Sequence, residues 1–285
     1  MSRRNEYAAR PTASMNYDEA ANFLFDLRRF QVKPGTESVR DLLAHLGDPH
    51  EDVDFVQVAG SNGKGSTARM TESVLREAGL RVGLYTSPHL DDLRERVRVD
   101  GRKVTRSSVA AFVEAAKPYL VERAAEGEPL TFFETVTALA LWDFGHRDVD
   151  VAVLEVGLGG KYDATSVVDP VAAAVTNVSL EHTAILGDTV GEIAERKAAV
   201  APADGPLVTA ATGEALATIR AHVGDVVTVG TGDDADVRVA YGGRRSDTEA
   251  AVEVAFDDRA VSALVPMLGR YQALNAGVAA ALCRH

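Results

Sequence analysis

A glycine-rich stretch is the part of this sequence with the clearest chemical meaning. It reads Val58-Ala59-Gly60-Ser61-Asn62-Gly63-Lys64-Gly65-Ser66 and lies between a short apolar run, Phe55–Val58, and a helical pattern from Thr67 to Ala78. A turn between a strand and a helix directs backbone N–H groups at a phosphate chain, and glycines let the backbone approach the anion closely. Lys64 adds a positive charge and Ser66 adds a hydroxyl. An ordinary glycine turn needs neither side chain, so the stretch predicts a nucleoside triphosphate site.

Two further segments place polar side chains after predicted strands. Ser87 and His89 follow the run Arg81–Tyr85, and Pro88 favours an extended Ser87. Loops at the carboxyl ends of parallel strands line the ligand crevice of an open sheet, although on its own this segment fits an ordinary connector better. Glu155 ends the apolar run Val149–Val156, where a carboxylate is costly unless it is paired or bound to a metal. Two explanations fit Glu155 equally well. It could bind Mg²⁺ beside a triphosphate, or it could form a salt bridge at the end of the strand.

A third group of polar residues follows the predicted strand Val171–Val175. Glu181 and His182 come after this strand, and Lys197 lies on the next predicted helix. A single histidine after a strand is more often structural than catalytic, and a helical lysine is usually solvated. The chemistry of these side chains alone therefore selects none of them.

Length and composition restrict the class of protein. The chain has 285 residues, of which 46% are hydrophobic, so it can form a packed core. No apolar run is long enough to cross a membrane, and the amino terminus is polar, which argues against a membrane span or a secretory signal. A single cysteine, Cys283, excludes an internal disulfide and fits a reducing cytoplasm.

The charge is strongly acidic. The formal net charge is −12, and only six of the basic residues are lysines. This balance favours a protein from a salt-accumulating cytoplasm, where a charged surface maintains solubility, over ordinary acidity. The sequence has no basic stripe, which argues against a nucleic-acid partner.

Strand and helix patterns alternate along the chain. Residues 1–16 are expected to be a flexible lead-in, and residues 17–285 a single ATP-binding domain. The alternation predicts an α/β fold of the phosphate-loop type, with a mostly parallel sheet flanked by helices. The other predicted elements are helices Tyr17–Phe30, Val39–Leu46, Ser107–Ala125, Phe132–Gly145, Val190–Val200 and Gly213–Val223, and strands Pro206–Thr209 and Val226–Val229.

The pattern changes after Gly232. Apolar residues alternate with polar or small ones at residues 237–241 and again at residues 252–256, with Gly242-Gly243 between the two runs. This arrangement predicts a small antiparallel hairpin at the edge of the sheet. A last helix is predicted from Asn275 to Leu282.

Taken together, these segments resemble the dihydrofolate synthase/folylpolyglutamate synthase family of the Mur ligase superfamily. The resemblance runs from Tyr17 to Leu282, and several blocks follow the family's order and spacing. The matching blocks are Ala59–Ser66, Tyr85–Leu90, Glu95–Val97, Leu130–Glu134, Glu155–Thr165, Glu181–Leu186 with Lys197, and Gly269–Ala276. The implied fold is that of the Mur ligase central domain.

The resemblance implies a role for each part of the site. The nucleotide phosphates would bind to Ser61, Asn62, Gly63, Lys64, Gly65 and Ser66, with Asn275 as a further ATP contact. Ser87 and Glu155 would hold one Mg²⁺, and Glu155 and His182 a second. Lys197 matches a lysine that is carbamylated in the family, and it joins Lys64, Glu155 and His182 as the catalytic set. The pterin-bearing substrate would contact Thr131, Phe132, Phe133, Glu134, Tyr162, Asp163 and Ala164.

Some positions depart from the family pattern. Glu181 stands where the family usually has Asp, Lys161 and Ser166 replace Arg and Asn, and Tyr271 replaces a common His. Replacing Arg by Lys matters wherever contact is bidentate. The family also has a C-terminal glutamate ligase domain, which this chain lacks and which we expect in the full-length protein.

The expected activity is ATP-dependent ligation of L-glutamate to dihydropteroate or folates through an acyl phosphate, by a cytoplasmic monomer. Two alternatives stay open at this point. One is a Mur-type ligase acting on another carboxylate, and the other is a non-catalytic nucleotide-binding module.

Overall fold

The computed structural model describes residues 15–30 and 35–284, and within them the chain forms eleven strands and nine α-helices. The strands are β1 (Asp54–Ala59), β2 (Val82–Tyr85), β3 (Val97–Val99), β4 (Arg102–Lys103), β5 (Val151–Glu155), β6 (Ala172–Val175), β7 (Leu207–Thr209), β8 (Val226–Gly230), β9 (Val237–Arg244), β10 (Ala250–Ala255) and β11 (Ala260–Val265). The helices are α1 (Tyr17–Asp26), α2 (Glu37–His45), α3 (Lys64–Glu77), α4 (Arg106–Ala125), α5 (Phe132–His146), α6 (Thr183–Leu186), α7 (Val190–Ala198), α8 (Gly213–His222) and α9 (Arg270–Leu282).

All the described strands join one sheet, whose order is β11-β10-β9-β8-β7-β6-β1-β5-β2-β3-β4. The pairings from β9 through β8, β7, β6, β1 and β5 to β2 are parallel. Both outer edges are antiparallel, through β9–β10–β11 at one end and β2–β3–β4 at the other. The predicted α/β fold is therefore confirmed.

Strand β1 lies at the centre of the parallel region, between β5 and β6. Its alternate side chains face opposite sides of the sheet, as the pleat requires. Phe55 packs into the core formed with α1, α2, α4 and α5, whereas Val56 and Val58 pack into the core formed with α3 and α9. A third cluster lies under α7 and α8. The sheet is thus covered on both faces, and the carboxyl ends of β1, β5 and β6 lie side by side.

Several boundaries differ from those expected. Residues 1–14 of the predicted lead-in lie outside the described residues, but Asn16 forms a capping box with Glu19 and begins α1. The predicted first helix stops early, because Leu27–Arg29 tightens into a 3-10 turn. Helix α9 begins at Arg270 rather than at Asn275, with Gly269 as its N-cap.

The predicted antiparallel hairpin at the edge of the sheet is confirmed by β9 and β10, but the position of its turn differs. Gly242 and Gly243 lie inside β9 rather than in a turn. The register shifts between Ala250 and Val252, so that two glycines oppose one residue of β10, and Gly243 takes a φ of 86°. A bulge of this kind uses a glycine to continue the strand. The sequence pattern also missed β11, as well as β3 and β4 at the opposite edge, because all three are short or lack alternation.

Among the described residues, no helix is both long enough and apolar enough to cross a membrane.

Candidate active site

The predicted phosphate-binding loop lies where β1 ends and α3 begins. Gly63 has a left-handed φ of 85° and directly precedes Lys64, the first residue of α3. The Nζ atom of Lys64 folds back and donates to the carbonyl oxygens of Gly60 at 2.9 Å and Ser61 at 3.4 Å. The N–H groups of the first helical turn have no acceptor within the helix. The loop therefore presents free donors, the positive end of a helix dipole and an ammonium group in one place.

The loop glycines are required by close packing. A Cβ atom at Gly60 would overlap the Thr176 hydroxyl, and one at Gly63 would collide with the Asn275 side chain. At Gly65 a Cβ would lie 3.2 Å from both carboxylate oxygens of Glu155. The loop is thus packed against β6, α9 and β5 at the same time, which fixes its shape.

Residues after β6 hold the loop in place, and the sequence analysis missed two of them. The Asn62 carbonyl accepts from Thr176 Oγ1 at 2.7 Å and from Asn177 Nδ2 at 2.8 Å. Asn177 also accepts from the backbone N–H groups of Ser61 and Asn62. Because those two N–H groups are already used, a phosphate would meet the N–H groups nearer the start of α3. No motif distinguishes Thr176 and Asn177, since their role depends on strand β6 lying next to β1.

Glu155 closes one side of the loop at the end of β5. Its side chain is buried, with 7% exposed, and Oε2 accepts from the backbone N–H of Ser87 at 2.9 Å. Burial raises the pKa of this carboxyl, although the Ser87 hydrogen bond and the charges of Lys64, Arg69 and Arg96 oppose the rise. The structure thus brings Ser87, Glu155 and Lys64 together, as the sequence expected.

Lys197, which is buried, and Glu181, which is partly exposed, form an ion pair next to the loop. Lys197 Nζ lies 2.8 Å from Glu181 Oε1 and donates to the Gly60 carbonyl at 2.9 Å. Only 2% of Lys197 is exposed. Burial lowers the pKa of its amine, and Glu181 partly offsets this effect. Burial opposes ionisation of Glu181 as well, but its bonds to Lys197 and Ser61 bring its pKa below the ordinary value.

A small polar cavity of about 20 Å³ links these groups. Its walls include Gly60, Lys64, Glu181, His182 and Lys197. His182 has an exposed side chain and a left-handed backbone (φ 45°), and it caps the short helix α6. No group of three or more His, Cys, Asp or Glu residues that could hold a metal is found in the described part of the chain. A metal here would need phosphate or water oxygens in addition to its protein ligands.

The expected substrate residues fall into two environments. Thr131 and Glu134 form the capping box of α5, with Glu134 Oε2 accepting from both the N–H and the hydroxyl of Thr131 at 2.7 Å. Phe132 is buried, and Phe133 packs against Gly157. These side chains already have partners within the protein, so Thr131 and Glu134 position this segment.

The second substrate segment surrounds Asp163. Its carboxylate accepts from Leu158 N–H at 2.8 Å, Thr165 N–H at 3.0 Å and Thr165 Oγ1 at 2.6 Å. Burial raises the pKa of Asp163, although these hydrogen bonds oppose the rise. Ala164 is buried, whereas Tyr162 is 57% exposed. Asp163 thus holds the glycine loop after β5 in shape, and Tyr162 is free to contact a ligand.

Asn275 is the one expected nucleotide contact that comes from the last helix. It is buried on α9, packs against Gly63, and donates through Nδ2 to Gln272 Oε1 at 3.0 Å. The structure therefore brings Asn275 to the phosphate-binding loop from more than two hundred residues further along the chain.

A cationic cluster beside Phe132 was not anticipated as a site. The guanidinium carbons of Arg28 and Arg96 lie 4.7 Å and 5.2 Å from the centre of the Phe132 ring. Arg96 Nε donates to His89 Nδ1 at 2.8 Å. Burial lowers the pKa of His89, and the charges of Arg96 and Arg28 lower it further. His89 and Arg96 lie seven residues apart, but Arg28 lies about sixty residues earlier in the chain, so spacing along the chain could not reveal that it joins them.

Comparison with known proteins gives a consistent result. The family model described as the Mur ligase middle domain matches residues 58–283. A "Probable bifunctional folylpolyglutamate synthase/dihydropteroate synthase" of Haloferax volcanii is 72% identical over 273 residues, which are 95% of this chain and 33% of the relative. A "Dihydrofolate synthase/folylpolyglutamate synthase" of Bacillus subtilis is 39% identical over 208 residues, or 72% of this chain and 48% of the relative.

A solved structure agrees with these relatives. The "FPGS-AMPPCP-folate complex" superposes with a TM-score of 0.87 and 34% identity, covering 95% of this chain and 67% of that one. The present chain spans between a third and a half of the length of the two curated relatives. The Haloferax relative also agrees with the predicted salt-accumulating source.

Proposed function

Because this chain belongs to the dihydrofolate synthase/folylpolyglutamate synthase family of Mur ligases, we propose that its full-length protein ligates L-glutamate to dihydropteroate, to folates or to both, using ATP. The observation that carries this proposal is the packing of Glu155 and Asn275 against a glycine loop that begins α3 with Lys64. That arrangement suits the binding of a nucleoside triphosphate and the transfer of its terminal phosphoryl group.

The chemistry proceeds in two steps. A carboxylate oxygen of the pterin-bearing substrate attacks the γ-phosphorus of ATP, giving an acyl phosphate and ADP. The amine of L-glutamate then attacks the acyl carbon, the bond from that carbon to the phosphate oxygen breaks, and the amine loses a proton. Lys64 and the α3 N–H groups stabilise the charge on the transferred phosphoryl group. The reaction requires no side-chain nucleophile.

Two magnesium ions would be held by Ser87, Glu155 and His182. Ser87 and Glu155 offer the oxygen ligands that Mg²⁺ prefers, and His182 with Glu155 would hold the second ion. The buried Glu155 carboxylate, whose pKa is raised, would be stabilised by a cation beside it. Bound Mg²⁺ would neutralise charge on the β- and γ-phosphates. The remaining positions around each ion would be filled by phosphate and water oxygens.

Lys197 is the candidate for carbamylation. The buried amine with a lowered pKa carries a larger neutral fraction than an exposed lysine, and only the neutral amine reacts with CO₂. The reaction joins the amine nitrogen to the carbon of CO₂ and releases a proton, which gives an anionic carbamate. Glu181 would then have to leave its present ion pair, because two anions would otherwise face each other.

The remaining roles follow the family. The segments around Thr131–Glu134 and Tyr162–Ala164 would border the pterin-bearing substrate, and Ser61, Asn62, Gly63, Gly65, Ser66 and Asn275 the nucleotide. A C-terminal ligase domain would help to bind L-glutamate. The Haloferax relative's name also joins a dihydropteroate synthase to this activity, so we propose that the full-length protein includes one. ATP and a single cysteine favour the cytoplasm, and we retain the prediction of a monomer.

Phosphate release tests the proposal. The full-length protein would be assayed with Mg·ATP in molar KCl, leaving out L-glutamate and the pterin substrate in turn. We expect release only when both are present, and the preferred pterin substrate identifies which glutamate is added. ATP binding without release would favour a non-catalytic nucleotide-binding module. Release with a different carboxylate would favour another Mur-type ligase.

A further inference from the structure

A cluster of two arginines and a histidine lies on the Ser87 side of the site. It consists of Arg28, His89 and Arg96, which we call the arginine cluster. Arg28 lies over the rings of Phe25 and Phe132, with 4.4 Å and 4.7 Å from its guanidinium carbon to the ring centres. Arg96 is buried, whereas Arg28 is exposed and can meet a ligand from solvent. The cluster thus combines two permanent positive charges with two aromatic rings.

Neither arginine of the cluster has a carboxylate partner within residues 15–30 and 35–284. The neighbouring carboxylates are committed elsewhere, since Asp92 pairs with Arg94 at 2.6 Å and Glu95 pairs with Lys103 at 3.2 Å. Arg96 acts on the Glu155 carboxylate through its charge but forms no ion pair with it, and a buried guanidinium without an ion-pair partner is costly to the fold. An anion that binds here would therefore offset a cost that the protein already carries.

The hydrogen bonds of His89 indicate where that anion would bind. Arg96 Nε can only donate, so His89 Nδ1 accepts its hydrogen bond and the imidazole proton lies on Nε2. Arg28 Nη2, which also can only donate, lies 3.4 Å from this Nε2. Two N–H donors thus lie 3.4 Å apart, and no acceptor for either is found among the residues that the structure describes. An oxygen atom of an anion would accept from both.

We propose that the arginine cluster binds the carboxylate of the pterin-bearing substrate that is to be phosphorylated. This inference rests on the proposed function. His89 follows Ser87 by two residues, and Ser87 donates to Glu155 beside the phosphate-binding loop. The cluster therefore adjoins the place where the γ-phosphate is expected. Arginine suits a carboxylate because its planar fork can form two parallel hydrogen bonds.

The same arrangement lowers the repulsion between two anions. The attacking carboxylate has to approach a negatively charged triphosphate, and nearby guanidinium groups reduce that repulsion. The ring of Phe25, which is only partly buried and stacks on Phe132, offers apolar surface to a flat arenecarboxylate. Arg28 and Arg96 are therefore expected to act on substrate binding rather than on nucleotide binding.

Steady-state kinetics of the full-length protein test this role. Arg28→Gln and Arg96→Gln should each raise KM for dihydropteroate and for monoglutamyl tetrahydrofolate by about ten-fold or more, because a charge-assisted hydrogen bond is lost. KM for ATP should stay unchanged. Arg29→Gln is the matched control, because Arg29 is also exposed and lies over a different ring, that of Phe30. Arg96→Lys should restore part of the affinity.

A second measurement isolates the carboxylate. Pteroate and its uncharged carboxamide would be compared as competitive inhibitors, and the wild-type preference for pteroate should disappear in Arg28→Gln. An unchanged preference would overturn the inference while leaving the proposed function intact. A KM increase confined to the folate would also overturn it, because the cluster would then contact a carboxylate that does not react. Loss of pterin-dependent turnover in the wild type would refute the proposed function itself.

Discussion

At the scale of single residues, the site depends on charged groups held where water is scarce. Glu155 is the clearest case, because burial raises its pKa while the backbone of Ser87 and the cationic side chains around it favour the ionised form. Such a carboxylate costs stability in the absence of a ligand and becomes useful when a cation binds. Perturbed groups of this kind are typical of functional sites.

Glu155→Gln should separate activity from stability. Turnover should fall by about 100-fold or more, because an amide is a poor replacement for an anionic magnesium ligand. The raised pKa of Glu155 means that this group favours the fold at low pH and that its contribution is lost as the pH rises through that pKa. At neutral pH without metal, the variant should therefore unfold at a higher temperature than the wild type.

The control for this variant is Glu72→Gln. Glu72 is also a buried glutamate, but it pairs with Arg76 on α3. The Glu72→Gln protein should be less stable than the wild type and should keep the turnover of the wild type. If Glu155→Gln instead kept most of its activity, Glu155 would not hold the metal.

Lys197 gives a second prediction at the residue scale. With ¹³C-labelled CO₂, the wild-type protein should show a carbamate carbon signal by NMR that is absent from Lys197→Arg. The signal should weaken as the pH falls, because protonation of the amine reverses the reaction. A protein that is active but shows no carbamate signal would contradict the assignment.

At the scale of elements, caps and neighbouring strands do the positioning. The sequence predicted the main helices and parallel strands well, because their apolar patterns and the glycine loop are local signals. It could not reveal that Thr176 and Asn177 hold the loop, or that Arg28, His89 and Arg96 meet. Those contacts depend on which strands become neighbours and on where α1 packs, neither of which leaves a local pattern.

The N-caps of α4 and α5 provide a matched pair. Thr131 caps α5 beside the proposed substrate site, and Thr105 caps α4, where it accepts from the Ser108 N–H at 3.0 Å. Replacing either by Ala should lower the free energy of unfolding by about 1 kcal/mol, as measured by urea denaturation. Only Thr131→Ala should also raise KM for the pterin substrate, because it releases Glu134. Equal effects on KM would show that the Thr131 segment has no special connection to the substrate.

At the scale of the whole molecule, charge sets the conditions under which the fold is stable. The net charge of −12 creates repulsion across the acidic surface. Salt screens this repulsion, since the Debye length falls from about 10 Å at 0.1 M to about 3 Å at 1 M. We expect the unfolding temperature to rise between 0.1 M and 2 M KCl. A constant or falling temperature would contradict the prediction of a salt-adapted protein.

We propose that the full-length protein activates a carboxylate by phosphorylation. The most direct measurement uses a pterin substrate with ¹⁸O in the reacting carboxylate and follows the released phosphate by mass spectrometry. Because the acyl phosphate keeps one carboxylate oxygen as its bridge, one ¹⁸O should appear in each phosphate released with ADP. Phosphate without the label, or release of AMP and pyrophosphate, would contradict the proposed mechanism.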